Sequence, residues 1–442
     1  MHLQIPEKAN EIIHILQDAG YEAYVVGGCV RDALLGREAA DWDITTSALP
    51  EQVKGLFRRT LDTGLQHGTV TVMLEREGFE VTTYRIDGEY EDGRHPRQVQ
   101  FTPSLSEDLR RRDFTINAMA YNDREGLVDL FGGREDLEGG VIRCVGDPTE
   151  RFSEDALRIL RAVRFGAQLG FSIQKETRQA METLAGNLRK ISAERIQAEL
   201  TKILVSPHPE ILGVAYEAGI TAVILPEFDR CMETEQNTPY HCYNVGEHTL
   251  HALTQIRPDK VLRLTMLLHD MGKPGSRIKD ERGVDHFYGH GLAGEKLAER
   301  ILRRLRFDNE TIRQVRRLVL CHDDRQENPT ARWVRRAVFR IGEDLFPYYL
   351  EVRRADILAQ NPAFREKSLK NLEQVEALYR NILEEKNCVS LKGLAVTGHD
   401  LIEAGVEPGK PVGETLNRLL ELVMDHPEYN KKEYLLEQIK RV

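Results

Sequence analysis

The chain has 442 residues, too many for one ordinary hydrophobic core, and at about 100 to 150 residues per domain it divides into three or four. It is 41% hydrophobic and 30% charged, and no run approaches the roughly 18 apolar residues that a spanning helix needs, so no membrane partner is expected. A formal charge of −10 excludes a surface coated with positive charge for wrapping nucleic acid, so any RNA contact has to be local. Local basic clusters exist at Arg110-Arg111-Arg112, at Arg158/Arg161/Arg164 and at Arg303-Arg304. The N-terminus, Met1 to Lys8, lacks a charged-then-apolar signal, and the six cysteines form no CxxC pair. A reducing cytoplasm is the expected compartment.

Along the chain, Ile12, Ile13, Ile15 and Leu16 recur at helical spacing over residues 7 to 19, with Gly20 as the stop. Tyr24-Val25-Val26 reads as a short buried strand entering Gly27-Gly28, and Val30 to Gly36 as the helical turn that follows. His67 to Leu74 and Phe79 to Arg85 read as a hairpin around the charged turn Glu75 to Gly78. The N-terminal region therefore mixes helix with a small sheet, and from about residue 150 the pattern becomes helical. Gly139-Gly140 and Gly146-Asp147-Pro148 punctuate that boundary. A second helical block is expected from Glu233 to Tyr243 onward, and a last one after Ser368.

Asp41-Trp42-Asp43 places two carboxylates at i and i+2. On a strand these face one side with alpha carbons roughly 6.5 Å apart, within reach of one magnesium site. Hard oxygen ligands on divalent ions suit in-line displacement on a triphosphate, one ion activating the attacking hydroxyl and another stabilising the leaving pyrophosphate. A lone DxD is a weak signal. It gains weight from Gly27-Gly28-Cys29-Val30-Arg31 upstream, a glycine turn opening a helix, where backbone N–H groups and Arg31 can hold phosphate. Glu80 is a candidate third carboxylate, the alternative being an exposed strand acid. Asp155 and Arg158, three apart, are expected on one helix face continued by Arg161 and Arg164, with Ala156, Ile159, Leu160 and Val163 packed inward. A carboxylate and a guanidinium there offer hydrogen-bond acceptors and donors to a ligand.

The ordered set Val25 to Asp32, Asp41 to Ile44, Arg110 to Ala120, Glu154 to Arg158 and Ala193 to Ile196 closely resembles bacterial CCA-adding tRNA nucleotidyltransferases of the second class, in the poly(A) polymerase superfamily. The resemblance covers residues 1 to about 225 and about 390 to 442. It implies an α+β chain: a polymerase beta-like mixed sheet with helices, then all-α neck, HD and tail domains. The expected divisions are a catalytic head at 1–150, a neck for base recognition and RNA binding at 151–225, an HD domain at 226–366 and a tRNA-binding tail at 367–442. The implied activity is addition of C, C and A to the 3′ end of tRNA from CTP and ATP, without a nucleic-acid template and by a two-metal mechanism. The alternative is a bacterial poly(A) polymerase, which shares the head motifs but holds generic RNA.

Carried over position by position, the resemblance implies Asp41, Asp43 and Glu80 as catalytic, with Asp41 and Asp43 on Mg2+. Gly28, Arg31, Arg112, Asp155, Arg158, Arg161 and Arg164 would bind the nucleotide, while Asp113 and Asn117 brace the site, Asn117 alternatively capping a helix or turn. Residues Asp87 to Arg97 resemble the family's flexible loop, associated with the switch from C to A.

In the middle of the chain His248, His269-Asp270, His290, His322 and Asp356 have the order and spacing of an HD-domain metallophosphohydrolase, with Lys273 following the HD pair. Imidazole and carboxylate ligands suit a divalent transition metal, and two such ions would activate water on a phosphoester. The resemblance implies phosphatase and 2′,3′-cyclic phosphodiesterase chemistry; His286 and Asp323 are near enough in sequence to stand behind the ligands. The oligomeric state is left open.

Overall fold

A computed structural model describes residues 2–87 and 99–440. The loop expected over Asp87–Arg97 lies, beyond Asp87, outside the described residues. The chain forms two compact units, Met1–Pro226 and Glu227–Val442. Among the described residues no helix is long and apolar enough to cross a membrane, and all six cysteines are free.

The first unit is built on a seven-stranded sheet. Its strands are β1 (Ala23–Val26), β2 (Ile44–Thr46), β3 (Thr60–Gly64), β4 (Thr69–Leu74) and β5 (Glu77–Thr83), with Met119–Asn122 and Gly126–Asp129 completing it. The order is β3-β4-β5-β2-β1, then Met119–Asn122 and Gly126–Asp129; β2 and β5 pair in parallel and every other neighbouring pair is antiparallel. Continuous burial of β1 reflects its central position, where Tyr24, Val25 and Val26 find apolar neighbours on both faces. The expected first helix is Glu7–Asp18, which buries Ala9, Ile12, Ile13 and Leu16 along one stripe. The β4–β5 hairpin turn is tighter than expected: β5 already begins at Glu77, and Glu75 takes the left-handed conformation at φ 55°.

Beyond residue 150 the first unit is helical, with Pro148–Glu154, Leu157–Leu169, Lys175–Leu184 and Ala193–Leu204 carrying most of the chain. The expected all-α character is interrupted once here, where Ser172–Ile173 pairs in parallel with Val141–Ile142. In the second unit a short antiparallel pair, Ile278–Lys279 with Asp285–His286, does the same. Two-residue strands carry too little apolar periodicity to be read from sequence.

In the second unit, Glu233 to Tyr243 does not open a helical block. The helix Pro226–Met232 ends before it, and the next, Val245–Thr254, starts where Asn244 caps it by accepting from Glu247 N–H at 2.8 Å. Lys260–Leu268, His290–Arg304, Asn309–Cys321 and Phe346–Ala359 complete the core helices. A 23-residue helix, Pro362–Glu384, runs across the boundary expected at 366–367. The last residues bury Leu401, Leu419, Leu420, Val423, Met424 and Leu435 in a cluster of their own.

Asp108, on the helix Leu105–Arg110, is fully buried and ties the sheet to the arginine run. Its carboxylate accepts from Arg111 at 2.8 and 3.0 Å, from Arg112 at 3.4 Å, from Thr45 Oγ1 of β2 at 3.2 Å and from the Arg85 N–H at 3.3 Å. Burial pushes this carboxyl up, and the charges of Arg111 and Arg112 outweigh it and hold it below the usual carboxylate range. Removing one partner of a buried ion pair strands the other charge. Asp108→Ala is therefore expected to cost about 3 to 5 kcal/mol in urea unfolding at neutral pH. Asp108→Asn, which keeps part of the hydrogen bonding, is expected to cost visibly less.

Candidate functional site

The carboxylates of the DxD stand at one end of the sheet, just outside it. The β2 ladder begins at Ile44, so Asp41 and Asp43 precede the strand that sequence spacing placed them on. The reason is burial: Ile44, Thr45 and Thr46 are enclosed while Asp41 and Asp43 are exposed, and only the Asp43 carbonyl joins the ladder, accepting from the Val26 N–H at 3.0 Å. Ile44 pairs with Val81, so the residues preceding them, Asp43 and Glu80, enter the same edge together. Partial desolvation raises the Asp43 carboxyl above its usual range, as do the like charges of Glu80 and then Asp41; Arg112 opposes them. A carboxylate, Asp43, with the like charges of Glu80 and Asp41 acting on it at one end of a sheet is a fit for a hard divalent cation. It is a poor fit for a packing role.

The glycine turn meets this edge. Gly27 has φ 84°, a conformation that side chains resist, and a Cβ there would come within 3.0 Å of Arg112 Nη1. The helix Gly28–Leu34 starts on its far side and presents Arg31. Arg31 donates to Asp32 at 2.9 Å through both Nε and Nη2, and through Nη1 to Asn117 Oδ1 at 2.7 Å. Asn117 Nδ2 in turn donates to Asp113 at 3.2 Å. Asn117 thus braces the site through its side chain.

The neck arginines arrive in a different way from the one their spacing suggests. Asp155 does not share a helix with Arg158: it is an extended residue, φ −138°, in the break between Pro148–Glu154 and Leu157–Leu169. Its Oδ1 accepts from the Leu157 N–H at 2.9 Å, the bond that opens the second helix, and its Oδ2 accepts from Arg195 at 2.8 Å. Arg158 turns instead to Glu154 at 2.5 Å and to the Arg111 carbonyl at 3.1 Å. Ala156, Ile159, Leu160 and Val163 are buried as expected. Arg161 donates to Asp113 at 2.6 Å, and Arg164 pairs with Glu199 at 3.0 Å. Glu199 and Arg195, one turn apart on Ala193–Leu204, are site residues whose partners sequence reading did not supply.

The third basic cluster has no such setting. Arg304 forms a two-pronged pair with Glu227 at 2.7 Å, and Arg303 binds Glu299 at 3.0 Å on its own helix.

In the second unit the six ligand candidates converge from five helices. His248, His269 and Asp356 form one group: His248 Nε2 lies 3.0 Å from Asp356 and 3.3 Å from His269 Nε2. Asp270, His290 and His322 form another, with the two imidazole Nε2 atoms 3.1 Å apart. Asp270 spans both, one oxygen 3.3 Å from His269 and the other 3.5 Å from His322. Nδ1 of His269, His290 and His322 each meets a backbone carbonyl three residues back at 2.7 Å. That fixes the Nδ1–H tautomer and aims Nε2 lone pairs inward, the arrangement imidazole ligands need. A close backbone approach makes room, since a Cβ on Gly272 would lie 2.1 Å from the His290 carbonyl oxygen.

Burial pushes Asp270 and Asp356 up. His269 and Lys273 beside the first, and His248 and Arg353 beside the second, hold both well below the usual carboxylate range. Lys273 lies 2.6 Å from Asp270 and donates to Gln236 at 2.7 Å. Asp323 stands behind the ligands through Arg353, 3.6 Å away, which donates to Asp356. His286 pairs with Asp280 and stacks on Tyr288, and it lines a cavity of about 550 Å³ that Asp270, His290, His322 and Asp356 also line. His241, absent from the sequence reading, also lines it; burial and then the charges of Lys273 and His248 lower its imidazole to about 3.

The description "Poly A polymerase head domain" belongs to a family profile that matches residues 23–143. Profiles described as "Probable RNA and SrmB- binding site of polymerase A" and "tRNA nucleotidyltransferase domain 2 putative" match 170–232 and 291–439. The CCA-adding enzyme of Levilactobacillus brevis is 37% identical over 413 residues, 93% of this chain and 92% of that protein. The CCA-adding enzyme of Ligilactobacillus salivarius is 34% identical over 443 residues, 99% and 96%. Among solved structures, the Bacillus stearothermophilus CCA-adding enzyme in complex with CTP superposes with a TM-score of 0.71 at 30% identity, covering 99% of both chains. The Thermotoga maritima CCA-adding enzyme complexed with tRNA shares the fold, at a TM-score of 0.60 and 23% identity over 100% of this chain and 97% of that one.

Asp113 provides a pH test of this architecture. Burial pushes its carboxyl up, but the charges of Arg161 and then Arg158 outweigh that and hold it down at about 2. A carboxyl lowered in the folded state stabilises above its unfolded value and loses that contribution as pH falls toward the folded one. Wild type is expected to exceed Asp113→Asn by about 2 kcal/mol at pH 7, the gap closing between pH 4 and pH 2 in urea titrations.

Proposed function

The chain belongs to the CCA-adding enzymes, and from that membership we propose that it adds C, C and A in turn to the 3′ end of tRNA, drawing on CTP and ATP. The observation that carries the reading in this chain is the meeting of Asp41, Asp43 and Glu80 with the Gly27–Gly28 turn and Arg112 at one edge of the sheet. Asp41 and Asp43, with Glu80 beside them, would hold a divalent cation such as magnesium, which would supply charge neutralisation at the triphosphate and a lowered pKa at the terminal ribose hydroxyl. Arg31 and the N–H groups after Gly27 hold phosphate oxygens, and the helix opening at Gly28 adds its dipole. Arg112, Asp155, Arg158, Arg161 and Arg164 frame the base, offering donors and acceptors in fixed positions in place of a template strand. The head at 1–150 performs transfer, the neck at 151–225 reads the nucleotide, and the tail at 367–442 holds tRNA. The free cysteines and the absence of a spanning helix among the described residues suit a cytoplasmic setting.

The segment 226–366 carries a second activity on this reading. Its two ligand triads, joined by Asp270, would hold a pair of divalent transition metals, which would supply a nucleophilic water for phosphoester hydrolysis. Arg353 and Asp323 orient Asp356, and Lys273 offers a cation to a phosphoryl oxygen.

Tests follow from each of the two sites. With a tRNA transcript lacking its terminal CCA, exactness of length decides the first: three additions requiring both CTP and ATP are expected, and long tails from ATP alone would indicate a poly(A) polymerase. Asp41→Ala should lower the rate by at least about a thousandfold, the scale of losing the metal's transition-state stabilisation, and leave tRNA binding intact. Arg158→Ala should relax discrimination among triphosphates more than it weakens tRNA binding; equal loss for all four nucleotides at unchanged selectivity would remove the protein-template reading. For the second site, elemental analysis should find two transition-metal ions per chain, reduced in Asp270→Ala, and hydrolysis of a 2′,3′-cyclic phosphate should persist in Asp41→Ala.

A further inference from the structure

Three guanidinium groups converge on the ring of Phe165. Arg164 lies 4.2 Å from its centroid, Arg31 5.2 Å and Arg161 5.6 Å. Arg31 comes from the glycine-turn helix and the other two from Leu157–Leu169, so the ring joins the phosphate end of the site to the base end. Phe165 is buried, and its own position is set by an edge-to-face contact with Phe114, centroids 5.7 Å apart and planes at 79°.

Cations this close repel. Burial, and after it the charges of Arg161 and Arg31, work against the Arg164 guanidinium, which Glu199 supports. Each arginine already has one acid, Asp32 for Arg31, Asp113 for Arg161 and Glu199 for Arg164. Three charges of each sign therefore balance. A fourth acid under the guanidiniums would make the cluster anionic and repel a triphosphate. An aromatic face attracts cations through its quadrupole and adds no charge, so it can hold the three apart and in place while leaving them available to a polyanion.

We propose that Phe165 is a positioning residue for nucleotide selection, a cation–π platform that sets the spacing of Arg31, Arg161 and Arg164. The proposal rests on the reading of these arginines as nucleotide ligands given above. It assigns the ring an electrostatic task beyond filling space.

Fluorinated phenylalanines at position 165 separate the two tasks, because they keep the ring's shape and weaken its negative face. Along the series of one, two and three ring fluorines, KM for CTP and for ATP should climb stepwise. The trifluoro protein should reach about tenfold, with KM for tRNA and the melting temperature unchanged. Phe165→Tyr should keep both nucleotide KM values within about twofold of wild type, and Phe165→Leu should raise them as far as the trifluoro protein does. If Phe165→Leu does not fold, the fluorinated series alone decides. Nucleotide KM values that stay flat along the series would overturn the platform, as would a tRNA KM rising in step with them. When Asp41→Ala and Arg158→Ala behave as expected and the series is flat, the platform alone falls. When those two variants fail as well, the reading of the site falls with it.

Discussion

Every arginine brought to the candidate nucleotide site is held by a carboxylate, and the first unit is organised around those pairs. Asp108 takes Arg111 and Arg112, Asp113 takes Arg161, Glu199 takes Arg164, Asp155 takes Arg195 and Asp32 takes Arg31. Most of these acids are buried or nearly so, where an isolated charge is costly and a paired one is tolerated only with good geometry. The pairs are therefore weak arguments for net stability. They are strong arguments for position, since a guanidinium gripped by a fixed acid cannot wander.

The same acids explain how a chain with a formal charge of −10 can face a triphosphate. Positive charge is concentrated at one edge of the sheet and along one helix, with its counter-charges built in behind it. At that end of the sheet the exposed carboxylates, Asp41, Asp43 and Glu80, form no ion pair with a guanidinium among the described residues, and Arg112 acts on Asp43 from a greater distance. The second unit solves a related problem with imidazole: backbone carbonyls fix His269, His290 and His322 by Nδ1, so that Nε2 is available to a metal, and Asp356 and Asp270 complete the two donor groups.

What could be read in the sequence was whatever local spacing encodes. The first helix, the β1 strand and its glycine turn, the β4–β5 hairpin and the inward face of Leu157–Leu169 follow from periods of 3.6 and 2 and from punctuation by glycine. The histidine set was legible from order and residue type, because few other tasks gather four histidines and two aspartates at such spacing. Asp155 was misplaced because i and i+3 on a helical pattern look the same whether or not the helix breaks between them. The signal for the break was present in the residue itself, since an aspartate two residues before Leu157 is a good cap for a new helix start. Pairs such as Asp113 with Arg161 or Asp155 with Arg195 join residues 48 and 40 positions apart, and no local period reports them. His241 was missed for a related reason: it lies in the irregular stretch before Val245, where an expected helix gave no cause to weigh a single histidine.

A protein that selects nucleotides without a template strand has to supply the rigidity that base pairing in a duplex would otherwise lend. Free arginines cannot do so, because each flexible side chain ordered on binding costs about 0.5 to 1.5 kcal/mol and accepts many geometries. Arginines already ordered by buried acids have met that cost during folding, so differences between one base edge and another are felt in full. The discriminating power of the site then depends less on which groups touch the nucleotide than on how firmly the residues behind them are fixed. Preorganisation of this kind also places donors where charge develops during transfer, which is where electrostatic stabilisation is worth most. Buried partners such as Asp113 and Glu199, which need not meet a nucleotide at all, should for that reason govern selection as strongly as the arginines they hold.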